Sequence, residues 1–247
     1  MGSDFPYLYR NSRAEAIRLG ELQRYDDSFH CNVSCARSIE QAIRDYFRET
    51  EGDLKEGCAQ AVLEQFGFQR VNFVLANSLN EMGCKHLIQA ETRQWGQKIS
   101  VPPDGKYSRY FAVDTAAALL EAFIGQTREA YQALGLFGPE HCANSQHVQD
   151  YEGKVLVLSP DTLRESCWSP RDQLWLAESG FGCSPTASGR AVYATCLGDG
   201  EKTRWNREDF TGVLDGQYLP DWAMEKLAEL RGSHQEQNAG LTMTGMS

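Results

Sequence analysis

Gly153-Lys154-Val155-Leu156-Val157-Leu158 is where this chain changes its period. A short apolar run opened by a glycine and carrying β-branched residues reads as a strand. Three further β-type segments follow it, Gln173 to Ala177, Arg190 to Leu197 and Arg204 to Val213, separated by Pro, Gly and Asp turns. The clearest turn is Leu197-Gly198-Asp199-Gly200-Glu201, between a strand Ala191 to Cys196 and one opening near Thr203. Several short strands in roughly 65 residues, with no long helix between them, predict a small barrel or a strongly twisted sheet. Pro220 then opens a terminal helix from Asp221 to Leu230, packing through Trp222, Leu227 and Leu230. The polar, Gly-containing stretch 232–247 predicts a disordered tail.

Upstream of Gly153 the signals are helical. Ser12-Arg13-Ala14-Glu15 fits a capping box, and a helix is predicted from Arg13 to about Arg24. Cys35, Ile39, Ala42, Ile43, Tyr46 and Phe47 recur at helical spacing and predict a second helix over Ser34 to Arg48. A third spans Leu54 to Phe66, ended by Gly67 through a left-handed conformation, and a fourth Arg70 to Met82. Pro102-Pro103-Asp104-Gly105 is a turn signal and predicts a short hairpin between Ile99-Ser100-Val101 and Tyr107 to Val113. Asp114 is placed as the N-cap of a long helix through Leu134, closed by Gly135. The apolar faces of the helices can be satisfied only against one another. The fold class is therefore α+β: a helical domain over 1–135, a linker over 136–153 that carries Gly138-Pro139 and Asn144-Ser145-Gln146, and a small barrel-like β-rich module with its terminal helix over 154–231.

The chain has 247 residues, 41% hydrophobic and 23% charged, which excludes disordered, collagenous and coiled-coil classes. No apolar run approaches the ~18 residues of a membrane span, and Met1 to Arg10 lacks a charged region followed by an apolar one. A cytoplasmic protein without membrane partners is expected, its eight cysteines reduced and mostly buried. The formal charge of −10 is spread over both halves of the chain and disfavours broad coating of nucleic acid.

Two stretches carry a resemblance. Cys31-Asn32-Val33-Ser34-Cys35, Ile39-Glu40-Gln41-Ala42-Ile43 and Val62 to Asn77 resemble uncharacterised helical domains encoded on conjugative transposons of gut Gram-positive bacteria. Gly180-Phe181-Gly182-Cys183-Ser184-Pro185, Ser188-Gly189-Arg190-Ala191-Val192 and Leu197 to Glu201 look like a second module from the same kind of element. Together they cover most of residues 7–214. The resemblance implies a mobile-element setting and no catalytic residues. Asn80-Glu81-Met82-Gly83-Cys84-Lys85-His86 stands where the resemblance leads one to expect an Asp-Gly-Arg-like segment.

Candidate chemistry is weighed against ordinary packing. His30, Cys31, Cys35 and Cys58 offer zinc-type ligands, yet Cys35 and Cys58 fall on apolar helix faces and there is no Cys-x2-Cys knuckle. An iron–sulfur radical motif would need another cysteine soon after Cys35, and none is there. Cys142 between His141 and His147 is the most exposed candidate thiol nucleophile, though sequence neighbours rarely form such dyads. Gly180-x-Gly182 lacks the following helix and lysine of a phosphate loop and reads as a turn or bulge. Arg70, Asn72, Asn77 and Asn80 form a polar stripe suited to tying helix ends to loops.

The one concentrated cationic and aromatic group is Lys202, Arg204, Trp205 and Arg207, with Arg190 on the neighbouring strand. Its alternative is a mixed-sign hairpin in which Trp205 packs inward and Arg204 and Arg207 pair with Glu201, Glu208 and Asp209. These five residues are the candidate partner-binding site; no catalytic, metal or cofactor site is assigned. The expected function is a non-enzymatic binding protein of a mobile element, acting on a host or element-encoded protein, of anti-restriction or anti-CRISPR type. The rival is an accessory that binds single-stranded nucleic acid or a transfer complex through the β-rich module. A third reading is an enzyme using Cys or His chemistry.

Overall fold

Ser12 accepts a hydrogen bond from the Glu15 N–H and starts α1, Arg13–Leu19. The computed structural model describes residues 7–48, 53–83, 85–143, 149–163 and 169–243. Gly20 ends α1 in the left-handed region (φ 71°), and α2 begins at once, Leu22–Tyr46. The sequence places a break between about Arg24 and Ser34. The structure has none, because Tyr25, Ser28, Asn32, Cys35, Ile39 and Ile43 continue one buried stripe.

β1, Phe47–Arg48, and β2, Asp53–Leu54, pair antiparallel. Leu54 thus lies in a strand, not in the third helix predicted for it, and α3 runs Gln60–Glu81. The break predicted at Gly67 is present as a kink inside α3, with φ 77° and ψ 161°.

α4, Ala90–Lys98, precedes the Pro-Pro turn, and the hairpin predicted there is a correction: Lys106–Tyr110 is a short helix, α5. Tyr107, Tyr110 and Phe111 recur at helical spacing and gather around Phe29, with ring centroids 6.1, 6.3 and 6.1 Å away. The Asp104 carboxylate meanwhile accepts from the Arg13 N–H and the Tyr25 hydroxyl, at 3.0 and 2.5 Å. α6 is Ala117–Ala133, and its N-cap is Ala116 rather than Asp114, whose N–H donates to Glu40. Ile39, Leu75, Leu120, Phe123 and Ile124 are fully buried among α2, α3 and α6. Each contributes roughly 1.5–3 kcal/mol of burial.

The sheet comprises β3, Val155–Leu158; β4, Leu174–Ser179, after the short helix α7, Pro170–Gln173; β5, Ala191–Cys196; β6, Lys202–Asn206; and β7, Phe210–Val213. Its order is β6-β5-β4-β3-β7 and every pair is antiparallel. Among the described residues no ladder joins β6 to β7, so the sheet is open and the predicted barrel-like closure is not seen. The single predicted segment Arg204 to Val213 is two strands, divided by a tight turn over Arg207–Asp209 in which the Asp209 carboxylate caps the Asn206 N–H.

Leu156, Leu158, Trp175, Val192 and Phe210 lie on one face with Tyr151 and Cys183. Val157, Leu174, Leu176 and Leu214 lie on the other, under Ala223 and Leu227 of α8, Asp221–Met243. Both faces are covered, which is why β3 reads as an unbroken apolar run. α8 continues past residue 232, where the sequence predicts a tail; Gln, Glu and Ala in that stretch have good helix propensity.

Residues 136–143 and 149–153, read from sequence as linker, lie against the sheet. Phe137 and Gln173 exchange two hydrogen bonds of 2.7 Å, Cys142 bridges to Leu214, and the Tyr151 N–H donates to Cys183. Cys84, Asn144-Ser145-Gln146, His147 and residues 244–247 lie outside the described residues.

Candidate functional site

The turn Leu197–Glu201 closes the β5–β6 hairpin, with Cys196 and Glu201 paired through the backbone and Gly200 at φ 83°. At the other end the Arg207 N–H donates to the Arg190 carbonyl at 2.8 Å. Hydrogen-bonded pairs alternate along an antiparallel ladder, so Thr203 and Trp205 face β5 with their peptide groups while those of Lys202 and Arg204 point outward. Among the described residues these outward groups meet no partner, and β6 is a bare sheet edge.

β7 differs. Its outward carbonyls are taken, that of Val213 by the Ala143 N–H at 2.9 Å and that of Thr211 by the Arg10 guanidinium at 3.3 Å.

The five sequence-selected residues divide. The Arg190 side chain is 8% exposed and sits between Glu21 (2.5 Å) and Glu208 (3.2 Å), with its guanidinium over the Tyr9 ring. The Tyr9 hydroxyl donates to Glu21, and burial first, then this bond, pushes its pKa up to about 12. Arg207 is buried, donates to the carbonyls of Gly182, Cys183 and Gln149, and lies 3.8 Å over Tyr151. Trp205 is half-buried and meets Trp175 edge-on at 5.1 Å. Lys202 and Arg204 are exposed, Lys202 lying 3.3 Å from Glu178.

Arg190 and Arg207 therefore hold the fold, while Lys202 and Arg204 line its edge. The local ion pairs expected from the sequence are not what is seen: Arg204 has no ion pair among the described residues, Arg207 donates to the carbonyls of Gly182, Cys183 and Gln149, and Arg190 reaches Glu21 of the helical region, 169 positions away, a partner no local pattern reveals.

Sequence reasoning missed Tyr193 and Phe181. Tyr193 is paired with Arg204 in the ladder and is 49% exposed, and Phe181 is 76% exposed. The signal was there in the strand itself, since Tyr193 alternates with the inward Val192 and Ala194. Gly180 (φ 114°) and Gly182 form the turn beside them; a Cβ on either would come within 2.2 Å of a β5-side carbonyl oxygen, of Ala191 and Arg190 respectively.

The thiols are set back from this surface. Burial raises the Cys35 pKa to about 12 and those of Cys58 and Cys196 to about 11. Cys142, read from sequence as the most exposed thiol, is fully buried, because residues 138–143 fold against β7. Among the described residues no group of three or more His, Cys, Asp or Glu is placed to hold a metal ion. In the polar stripe, Arg70 is buried and donates to the Ser28 carbonyl and Asn32, Asn77 donates to the Ser108 carbonyl, and Asn80 is exposed. Among the described residues no helix is long and apolar enough to cross a membrane.

Residues 8–132 match the model of the family described as "Protein of unknown function (DUF3849)", and the chain belongs to that family. The matched span takes in the helical region from before α1 into α6 and does not include the sheet. No curated protein and no solved structure matches the chain.

Proposed function

We propose that this chain is a non-enzymatic, cytoplasmic binding protein of a mobile genetic element. It offers the bare edge of β6 to an extended segment of a host or element-encoded protein, in the manner of an antagonist of restriction or CRISPR defence. The observation that carries the reading is the asymmetry of the sheet: β7 is closed by Ala143 and Arg10, whereas the outward peptide groups of Lys202 and Arg204 meet no partner among the described residues. An added strand gains main-chain hydrogen bonds there, and side chains set its specificity. Lys202 and Arg204 favour an acidic segment and oppose pairing with a second copy, whose own cations would face them. Tyr193, cross-strand from Arg204, supplies the aromatic and Arg anchors typical of binding hot spots, and exposed Phe181 sits in the turn whose Gly180 packs against Tyr193. The mobile-element setting rests on the sequence resemblance.

The test is site-specific photocrosslinking from position 193 in cells that carry the element and its host, with position 110 as control. One protein should be captured at 193, and Arg204→Pro should abolish capture, since proline there removes only an outward N–H. Capture that is indifferent to Arg204→Pro and to Lys202→Glu/Arg204→Glu would refute strand addition.

The exposed ring of Tyr193, cross-strand from Arg204, also favours a second reading, in which single-stranded nucleic acid stacks on this strand. Oligonucleotide binding that falls steeply with salt and is lost in Arg204→Ala would select it.

A further inference from the structure

Arg10 lies where the helical region meets the sheet, and among the described residues its hydrogen bonds go to neutral acceptors. Its terminal nitrogens reach the Thr211 carbonyl and the Gln69 side-chain oxygen, and its Nε–H is buried with no partner. Lys98 donates only to the Cys142 carbonyl, at 3.2 Å. Among the described residues neither cation has an ion-pair partner. The carboxylate of Glu208, whose charge also reaches Arg10, is held by Arg190 at 3.2 Å and Arg24 at 3.7 Å.

Both cations line one cleft, of about 320 Å³ counting its mouth, together with Gln69, Asn72, Ser100, Tyr131 and Thr211, and among the described residues no carboxylate lines it. Asn72 is 5% exposed and among the described residues its side-chain amide makes no hydrogen bond; the buried Thr211 hydroxyl lies by that of Tyr131. Desolvated positive charge with no ion-pair partner is unfavourable, and burial lowers the Arg10 pKa although the charge of Glu208 opposes it. Two cations with amides and hydroxyls, around a space with room for about one or two water-sized bodies, make a positively charged cage that no described carboxylate lines.

We propose that this cleft binds a small inorganic anion of chloride size, seated between Arg10 and Lys98. Its walls come from the N-terminal arm, α3, the end of α4, α6, the segment after it and β7, so the bound ion fastens the helical region to the sheet.

The test uses the full chain. Crystals grown in bromide should show an anomalous peak in the cleft. Thermal unfolding in sodium chloride or bromide should give a saturating rise in midpoint over sodium gluconate at equal ionic strength, as expected for a ligand of the native state. Arg10→Gln and Lys98→Met should each weaken the apparent halide affinity by about tenfold or more. Should either fold poorly, Asn72→Asp supplies a second route: a carboxylate in the cleft provides the counter-charge, so the halide response should vanish while the midpoint in gluconate rises. A cleft without a bromide peak, or midpoints indistinguishable in halide and gluconate, would overturn the site.

Discussion

A Cβ built on Gly67 would lie 2.8 Å from the carboxyl carbon of Asp161. The glycine is needed twice at this point, once for φ 77° and once for the room it leaves. Asp161 fills that room and accepts from the N–H groups of Phe68 and Gln69, 2.8 Å each, capping the second half of α3 from the segment after β3. Asp161→Ala should lower unfolding free energy by about 0.5–2 kcal/mol, as loss of an N-cap does. Gly67→Ala should cost more, since it strains the backbone and displaces the cap. Urea unfolding of both variants checks the order.

Arg190 bridges Glu21 and Glu208 with all three side chains under 10% exposed. Arg190→Met leaves two buried carboxylates with only the half-exposed Arg24, 3.3 Å from Glu21 and 3.7 Å from Glu208, and should destabilise by about 2–4 kcal/mol. Adding Glu21→Gln and Glu208→Gln should recover a large part of that loss. A triple variant no more stable than Arg190→Met alone would show that the cost is packing, not charge.

The buried thiols set an alkaline limit. Cys35, at about 12, and Cys58 and Cys196, at about 11, lie above the ordinary thiol value of 9.0, so the native state favours their neutral form. That contribution is complete below pH 9 and is lost as pH rises through the folded values. Melting temperature should therefore fall above about pH 9, and Cys35→Ala should flatten the decline. These three thiols should resist labelling at pH 8 until denaturant is added.

Lys202→Glu/Arg204→Glu should leave stability within about 0.5 kcal/mol, because both side chains are exposed. Crosslinking from position 193 should nevertheless disappear. Loss of folding in this variant, seen by circular dichroism, would mean that the edge serves the fold.

Much of the fold is written in local pattern. Ser12 with Glu15, Gly67 between two apolar stripes and Gly200 in its turn each act on neighbours a few residues away, and each is where the sequence places it. The elements misread depend on distant partners. The Pro102-Pro103 turn carries no hairpin because Asp104 is bound by Arg13 and Tyr25, and residues 136–143 lack a period because they pack on a sheet formed later in the chain. In the candidate site, Lys202 and Arg204 are legible as outward positions of a strand. Arg190 and Arg207 are not, since the carboxylate and carbonyls that bury them come from Glu21, Gln149 and Gly182.

The blocked flank of the sheet has a stoichiometric consequence. With Ala143 and Arg10 already docked along β7, a visiting strand has a single berth, and the chain cannot link two visitors into a filament through this sheet. Titration by a peptide that pairs with β6 should reach its end point at one peptide per chain, and light scattering should stay flat beyond it.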